Sequence, residues 1–239
     1  MNLGSITKTM LTSAVAAVLA TASHAALVST NGSLSDQGVA AAIIAAPGDV
    51  TDDAAANQAI QAFDEVIGYT LLGALNVDGG SVGYAGLRVD SHMIFLNSRS
   101  TNTSGGCPGS PACIEHGAGQ NQNAASFTFD GQILGVMSNS NGSLEVATSA
   151  FLGAVGTLYP NAPFSARGME GGSPWTAGTS NDWYRVAGDT IRLGMRVTEP
   201  GDWIRVVTVS AVPVPASMLL MGTALVGFGG FAARRKRKS

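Results

Sequence analysis

The fold class this sequence predicts is mainly β: a single antiparallel β-sandwich of jelly-roll type. Three observations predict it. Short apolar runs of strand length recur between Gly, Asn and Ser clusters, helical spacing occurs only in brief patches, and no strand–helix–strand alternation is present to build a parallel sheet. No internal repeat with a period of about 20–50 residues is visible, which disfavours a solenoid or propeller. One short N-terminal helix, a signal-peptide helix and a C-terminal transmembrane helix complete the expectation.

At the front, Lys8 precedes an apolar stretch from Met10 to Ala20 and the small-residue site Ser23-His24-Ala25. This is the pattern of a secretory signal peptide over residues 1–25, cleaved between Ala25 and Ala26. Residues 26–50 have no clear period. Thr51-Asp52-Asp53 then offers caps for a helix over Ala54–Phe63, with Ala56, Ala59, Ile60 and Phe63 at helical spacing. Tyr69–Val77 reads as a strand closed by the turn cluster Asp78-Gly79-Gly80, and Leu87–Leu96 as the next. After a long Asn/Ser/Gly loop over 97–124, Ser126–Phe129 and Gln132–Met137 flank Asp130-Gly131, the signature of a hairpin. A helical patch is expected over Leu144–Leu152 and a strand over Trp183–Val186.

The last two strands carry the plainest pattern. Ile191, Leu193, Met195 and Val197 alternate with polar residues, Glu199-Pro200-Gly201-Asp202 has Pro and Gly where a type II turn wants them, and Trp203–Val209 returns. Read as a hairpin, the register sets Val197 against Ile204, Met195 against Val206, and Arg196 against Arg205. Like charges directly opposed are unfavourable unless an anion lies between them. Asp182 or Asp189 would be that anion in one reading. In the other, Arg192, Arg196, Trp203 and Arg205 form a ligand patch for an anion or a sugar.

The end of the chain has a different character. Pro213, Val214, Pro215 and Ala216 open an uncharged apolar run, Ala216–Ala233, of 18 residues, and Arg234, Arg235, Lys236, Arg237 and Lys238 follow it. A run of this length is just enough to cross a hydrocarbon core as a helix, and the basic cluster would hold its far end in the cytoplasm. Residues 26–212 then form the exported domain. Without its two ends the chain has seven arginines and no lysine against 16 acidic residues, near −9, which excludes a nucleic-acid-binding role. The order of these features, Val212-Pro213-Val214-Pro215-Ala216, a span and an Arg-rich end, resembles the PEP-CTERM sorting signals handled by exosortases in Gram-negative bacteria. It is closer to the Val-Pro-Leu-Pro-Ala variant, with Val214 in place of Leu. The resemblance implies cleavage near Pro215–Ser217 and transfer of the exported domain to the cell surface or beyond. The segments Ser91–Asn97, Phe129–Met137, Phe151-Leu152-Gly153 and Pro200–Val207 resemble a recurring ectodomain of such sorted surface proteins, which implies no catalytic residues.

Cys107 and Cys113 are the only cysteines, and an even count in an exported domain reads as a disulfide. A metal site with His92 and His116 is the competing reading, at unusual spacing. Gly79-Gly80-Ser81-Val82-Gly83 matches the nucleophile-elbow pattern, but no helix follows it, so a hairpin loop is expected. His92 sits at an alternating strand position and reads as a packed or surface histidine. Asp, Asn and Gly around Asp78 and at Asn139–Gly142 are either turn residues or oxygen ligands for calcium. No cofactor is expected. The function expected is that of a non-enzymatic surface or matrix protein whose partners are the secretion translocon, an exosortase and, transiently, the inner membrane. The alternatives are an exopolysaccharide-binding module using Trp175, Trp183 or Trp203, and an extracellular hydrolase with a carboxylate pair that no spacing selects.

Overall fold

The computed structural model describes residues 26–32, 40–51, 57, 59–97, 114–116, 124–162, 168–169, 182–197 and 201–210. All lie in one compact unit, Ser23–Val212. In chain order the first seven strands are β1 (Leu27–Asn31), β2 (Ala42–Ile43), β3 (Gln61–Asp64), β4 (Tyr69–Thr70), β5 (Leu75–Val77), β6 (Gly80–Val82) and β7 (Arg88–Leu96). After them come β8 (Ile114–His116), β9 (Ala125–Phe129), β10 (Ile133–Met137), helix α1 (Ser143–Leu152), β11 (Trp183–Ala187), β12 (Thr190–Val197) and β13 (Asp202–Val209). The domain is therefore mainly β, and among the described residues α1 is the one helix.

Two large sheets result. One runs β1-β9-β12-β11, with β8 also on β12; the other runs β10-β13-β7-β3-β2, with β4 on β7. Every pairing is antiparallel except β2 with β3, which is parallel. The hairpin β5–β6 stands apart, turning at Asp78-Gly79 with Val77 opposite Gly80, where the sequence places it. Gly79 takes φ 79°, left-handed backbone that an L side chain resists.

Two expected hairpins do not form. β12 pairs with β9, β11 and β8, whereas β13 pairs with β10 and β7 in the other sheet. Between β12 and β13 the chain passes from one sheet to the other instead of folding back on its neighbour. Asp130-Gly131 likewise joins strands of different sheets. The β11–β12 turn supplies the carbonyls of Asp189 and Gly188 to the amides of Phe129 and Ile133 on either side of that corner, at 2.9 and 3.0 Å. Gly131 belongs there for steric reasons, since a Cβ would meet the Val209 carbonyl. The expected helix over residues 54–63 is also corrected. Gln61–Asp64 is strand β3, because Ala62 and Phe63 serve opposite faces of a sheet, a period of two that the alanine-rich lead-in obscured.

β7 explains the layering. All its residues except Arg88 are buried, so the sheet is covered on both faces. Ile94, Leu96, Ile204 and Val206 join Phe127, Phe129, Ile191, Leu193 and Met195 of the other sheet in one apolar cluster. Met93, Phe95 and Trp203 look the opposite way, toward Val50, Ala154 and Tyr159, and Val89 and Val207 pack with Leu75, Val77 and Leu152. Burying each such large side chain contributes about 1.5–3 kcal/mol relative to exposure. Trp203 anchors that second layer further by donating its indole N–H to the Val50 carbonyl at 2.8 Å.

Candidate functional site

The layer outside the six-stranded sheet buries a cluster of charged groups. Helix α1 begins after Gly142, at φ 64°, and its first amides are met by side chains: Asn139 Oδ1 accepts from the Leu144 N–H at 3.0 Å and Asn141 Oδ1 from the Ser143 N–H at 3.2 Å. Glu145, Thr148 and Leu152 are buried, and their spacing of three and four residues places them on one face of the helix.

Arg205 of β13 is fully buried and binds α1 to the sheet. Its Nε and one terminal nitrogen donate to the two oxygens of Glu65 at 2.7 and 2.8 Å, a bidentate pair in which both side chains are fully buried. The other terminal nitrogen donates to the Glu145 carbonyl at 2.8 Å and Thr148 Oγ1 at 2.6 Å, the one that meets Glu65 also donates to Ser149 Oγ at 3.2 Å, and Tyr159 packs over the guanidinium with the ring centre 5.6 Å away. Burial pulls the guanidinium toward losing its proton, but the charge and hydrogen bonds of Glu65 outweigh this, so its pKa is raised. The phenol of Tyr159 is also raised, first by burial and then by the charge of Glu65.

The carboxyl of Glu145 is the exception to this pairing. It is buried, and neither oxygen has a hydrogen-bond partner. Burial pushes it up to about 8, against a smaller downward pull from its own backbone amide, which neither oxygen meets at hydrogen-bond geometry, and from Arg205, with a further push from Asp78 and Glu65. Asp78, by contrast, accepts from the Ser138 amide and hydroxyl at 3.1 and 2.6 Å and from the Tyr184 hydroxyl at 3.0 Å.

The histidine of β7 lies on the inter-sheet side. His92 bonds Asp64 at 2.7 Å through Nδ1 and Thr208 at 3.1 Å through Nε2, with its ring 4.6 Å from that of Phe129. Asp, His and hydroxyl in series look like a catalytic relay, but His92 and Thr208 are fully buried, so the expected packed histidine describes it better. Ser81 of the elbow-like motif lies on hairpin strand β6 and donates to Asn76 at 3.1 Å.

The proposed ligand patch does not assemble. Trp203 is 1% and Arg205 0% exposed, and both lie in the six-stranded sheet under α1 and the Val50 segment. Arg192 is exposed on the other sheet, opposite Arg185 of β11 and Ser126 of β9, and Arg196 stands in register with Glu115 of β8. The cause is the missing hairpin: without it the four residues belong to two sheets. Trp183 is buried as well. Trp175, the cysteines Cys107 and Cys113, Ala25, the sorting residues Pro213–Ala216 and the basic cluster Arg234–Lys238 lie outside the described residues, as does the expected transmembrane helix. Among the described residues no helix is long and apolar enough to cross a membrane, and no group of three or more His, Cys, Asp or Glu is placed to hold a metal. Sequence reasoning missed Glu65, Glu145 and Tyr159. The available signal was Arg205 amid five apolar or β-branched neighbours on a strand, a charge that burial obliges to find a carboxylate.

The fold thus defines a mainly β domain, and in the sequence a terminal segment of different composition follows it. That segment decides the class. Residues 211–237 match the model of the PEP-CTERM protein-sorting motif, so the chain carries the signal of an exosortase-sorted protein, and the motif implies export and transient membrane anchoring. No curated protein and no solved structure matches the chain.

Proposed function

We propose that residues 26–212 are the non-enzymatic cargo of this signal, a β-sandwich delivered to the cell surface or extracellular matrix. In this reading the peptide 1–25 is removed at Ala25/Ala26 on export, helix 216–233 holds the chain in the inner membrane, and an exosortase-type enzyme cuts near Pro215–Ser217. The sorting-motif match, which spans Pro213, Val214, Pro215, Ala216 and the basic residues as far as Arg237, carries the proposal. Two sheets around a common apolar cluster support the sandwich. The non-enzymatic reading is supported by the use of Asp64, His92, Asp78 and Glu65 in internal bonds. Replacing both Pro213 and Pro215 by Ala in the native host tests the sorting step. Retention of the variant in the inner membrane is expected, and undiminished release overturns the proposal.

A second reading, contact with polysaccharide, moves from the dispersed tryptophan–arginine patch to the outer face of the five-stranded sheet. Asn31, Ser126, Arg192 and Arg185 stand in one cross-strand row there, with Ser29, Thr128, Thr190 and Ala187 in the next. Glycan-array binding lost on Arg185→Ala with Arg192→Ala favours it. Trp203→Ala is no test, because that residue is part of the core.

A further inference from the structure

The two ends of the described domain meet at one corner of it. Ser210, the last described residue, donates its amide to the Arg88 carbonyl at the start of β7 at 3.1 Å, and Val209 donates to the Gln132 carbonyl at 2.9 Å. Ala26, the first, donates to Asp130 beside that same corner. On the other flank of β7, β4 reaches the same end of the sheet: Thr70 stands opposite Arg88, and beyond it the Leu71 amide meets the Leu87 carbonyl and the Gly86 amide the Leu71 carbonyl, each at 2.8 Å. Two loop tips therefore overhang the end from which the chain departs, Leu72-Gly73-Ala74 and Tyr84-Ala85-Gly86. All six residues are exposed, Leu72 at 87% and Tyr84 at 66%. Asp78 is the only charge in residues 71–87, and its carboxylate is held by Ser138 and Tyr184. An apolar side chain exposed by itself needs no explanation, whereas two uncharged tips joined side by side at the exit of the chain do.

Five residues, 211–215, separate Ser210 from the apolar run that opens at Ala216, a tether of about 20 Å when fully extended. With that run in the bilayer, this end of the domain is the one held against lipid. We propose that, while the chain is anchored, the tips 72–74 and 84–86 rest in the headgroup region of the membrane, with Leu72 and the ring of Tyr84 inserted and the exposed Arg88 at the level of the phosphates. This docking rests on the anchoring read from the sorting motif. Lipid is the occupant because the tether itself brings it to these tips. Tyrosine, an apolar ring with a polar hydroxyl, suits the boundary between water and hydrocarbon. General attraction to anionic headgroups contributes little, since Asp130 and Asp189 flank the Ala26 side of the same corner. An acyl chain by itself gives only marginal, reversible binding, so two side chains orient the tethered domain without retaining it once the tail is cut.

The test reconstitutes the full-length chain into phosphatidylcholine vesicles with and without brominated acyl chains, which quench tryptophan on contact. Leu72→Trp and Tyr84→Trp report on the tips, and Asn31→Trp, at the end of β1 remote from Ala26, is the comparison; all three positions are exposed, so the fold accepts the ring. The emission gained over the parent chain at positions 72 and 84 falls by about half in brominated vesicles, because docked apolar groups reach ~5–10 Å into the headgroup boundary, and that gained at position 31 is unchanged. The quenching persists at about 1 M salt, where charge attraction is screened beyond ~3 Å. A chain that floats with the vesicles while positions 72 and 84 stay unquenched overturns the docking and leaves the anchoring intact. Quenching that salt abolishes, or that is equal at position 31, also overturns it. A blue shift at the tips that follows protein concentration and ignores bromine assigns them to a second copy and overturns the lipid contact. A chain that does not float with the vesicles overturns the anchoring, and the docking with it.

Discussion

Glu145 makes the stability of the domain depend on pH. Its carboxyl is held at about 8 in the folded protein against an ordinary value of 4.5, so the folded state binds a proton that the unfolded chain has lost. The stability from this group is fully present below pH ~4.5 and is lost as pH rises through about 8, on the order of 4 kcal/mol in all. The urea midpoint should therefore fall between pH 5 and 8, and Glu145→Gln should flatten the fall and be the more stable protein at pH 8. Arg205 makes the complementary case. Arg205→Met leaves Glu65 buried without its cation and should cost about 3–5 kcal/mol in denaturant unfolding, whereas adding Glu65→Leu should restore most of the loss. An uncovered surface ion pair would give less than about 1 kcal/mol and no rescue.

At the level of elements, the corner between β9 and β10 is the most demanding junction. Gly131→Ala places a methyl against the Val209 carbonyl at the end of β13, and thermal unfolding should register about 1–3 kcal/mol of destabilisation. Alanine at the exposed Gly156, where nothing is near, should cost less despite its φ of 88°. These junctions mark how far the sequence is legible. The strands β7, β9, β10, β11, β12 and β13, the Asp78-Gly79 turn and the helix at 143–152 all follow from local period and turn chemistry. Pairing does not, because a Pro-Gly or Asp-Gly signal specifies where the chain bends and not which sheet it enters next. The division of β13 into an Ile204/Val206 face and a Trp203/Arg205 face was also legible, but the second face reads as solvent-facing because its covering elements, α1 and the Val50 segment, are distant in sequence. That one error turned a buried anchor and a buried ion pair into an apparent ligand patch.

For the molecule as a whole, the two ends and the domain between them divide the work. Export requires a chain that is stable once outside, and a shared apolar core between two sheets, with a second layer fastened by Arg205, supplies this without any lysine. At the start of the described domain the Ala26 amide donates to Asp130 at 2.9 Å. If residues 1–25 are removed as the sequence reading expects, that amide becomes an ammonium facing a carboxylate, and N-terminal sequencing of exported protein begins at Ala26; any other start contradicts the expectation. The back end holds the central claim, that the sorting motif at 211–237 is a removable delivery signal and not a permanent anchor. Mass spectrometry of the C-terminus of protein recovered from the cell surface or medium tests this most directly. A terminal peptide ending near Pro215–Ser217 is the result expected, and an intact Arg234–Ser239 end on that surface-recovered protein would contradict it.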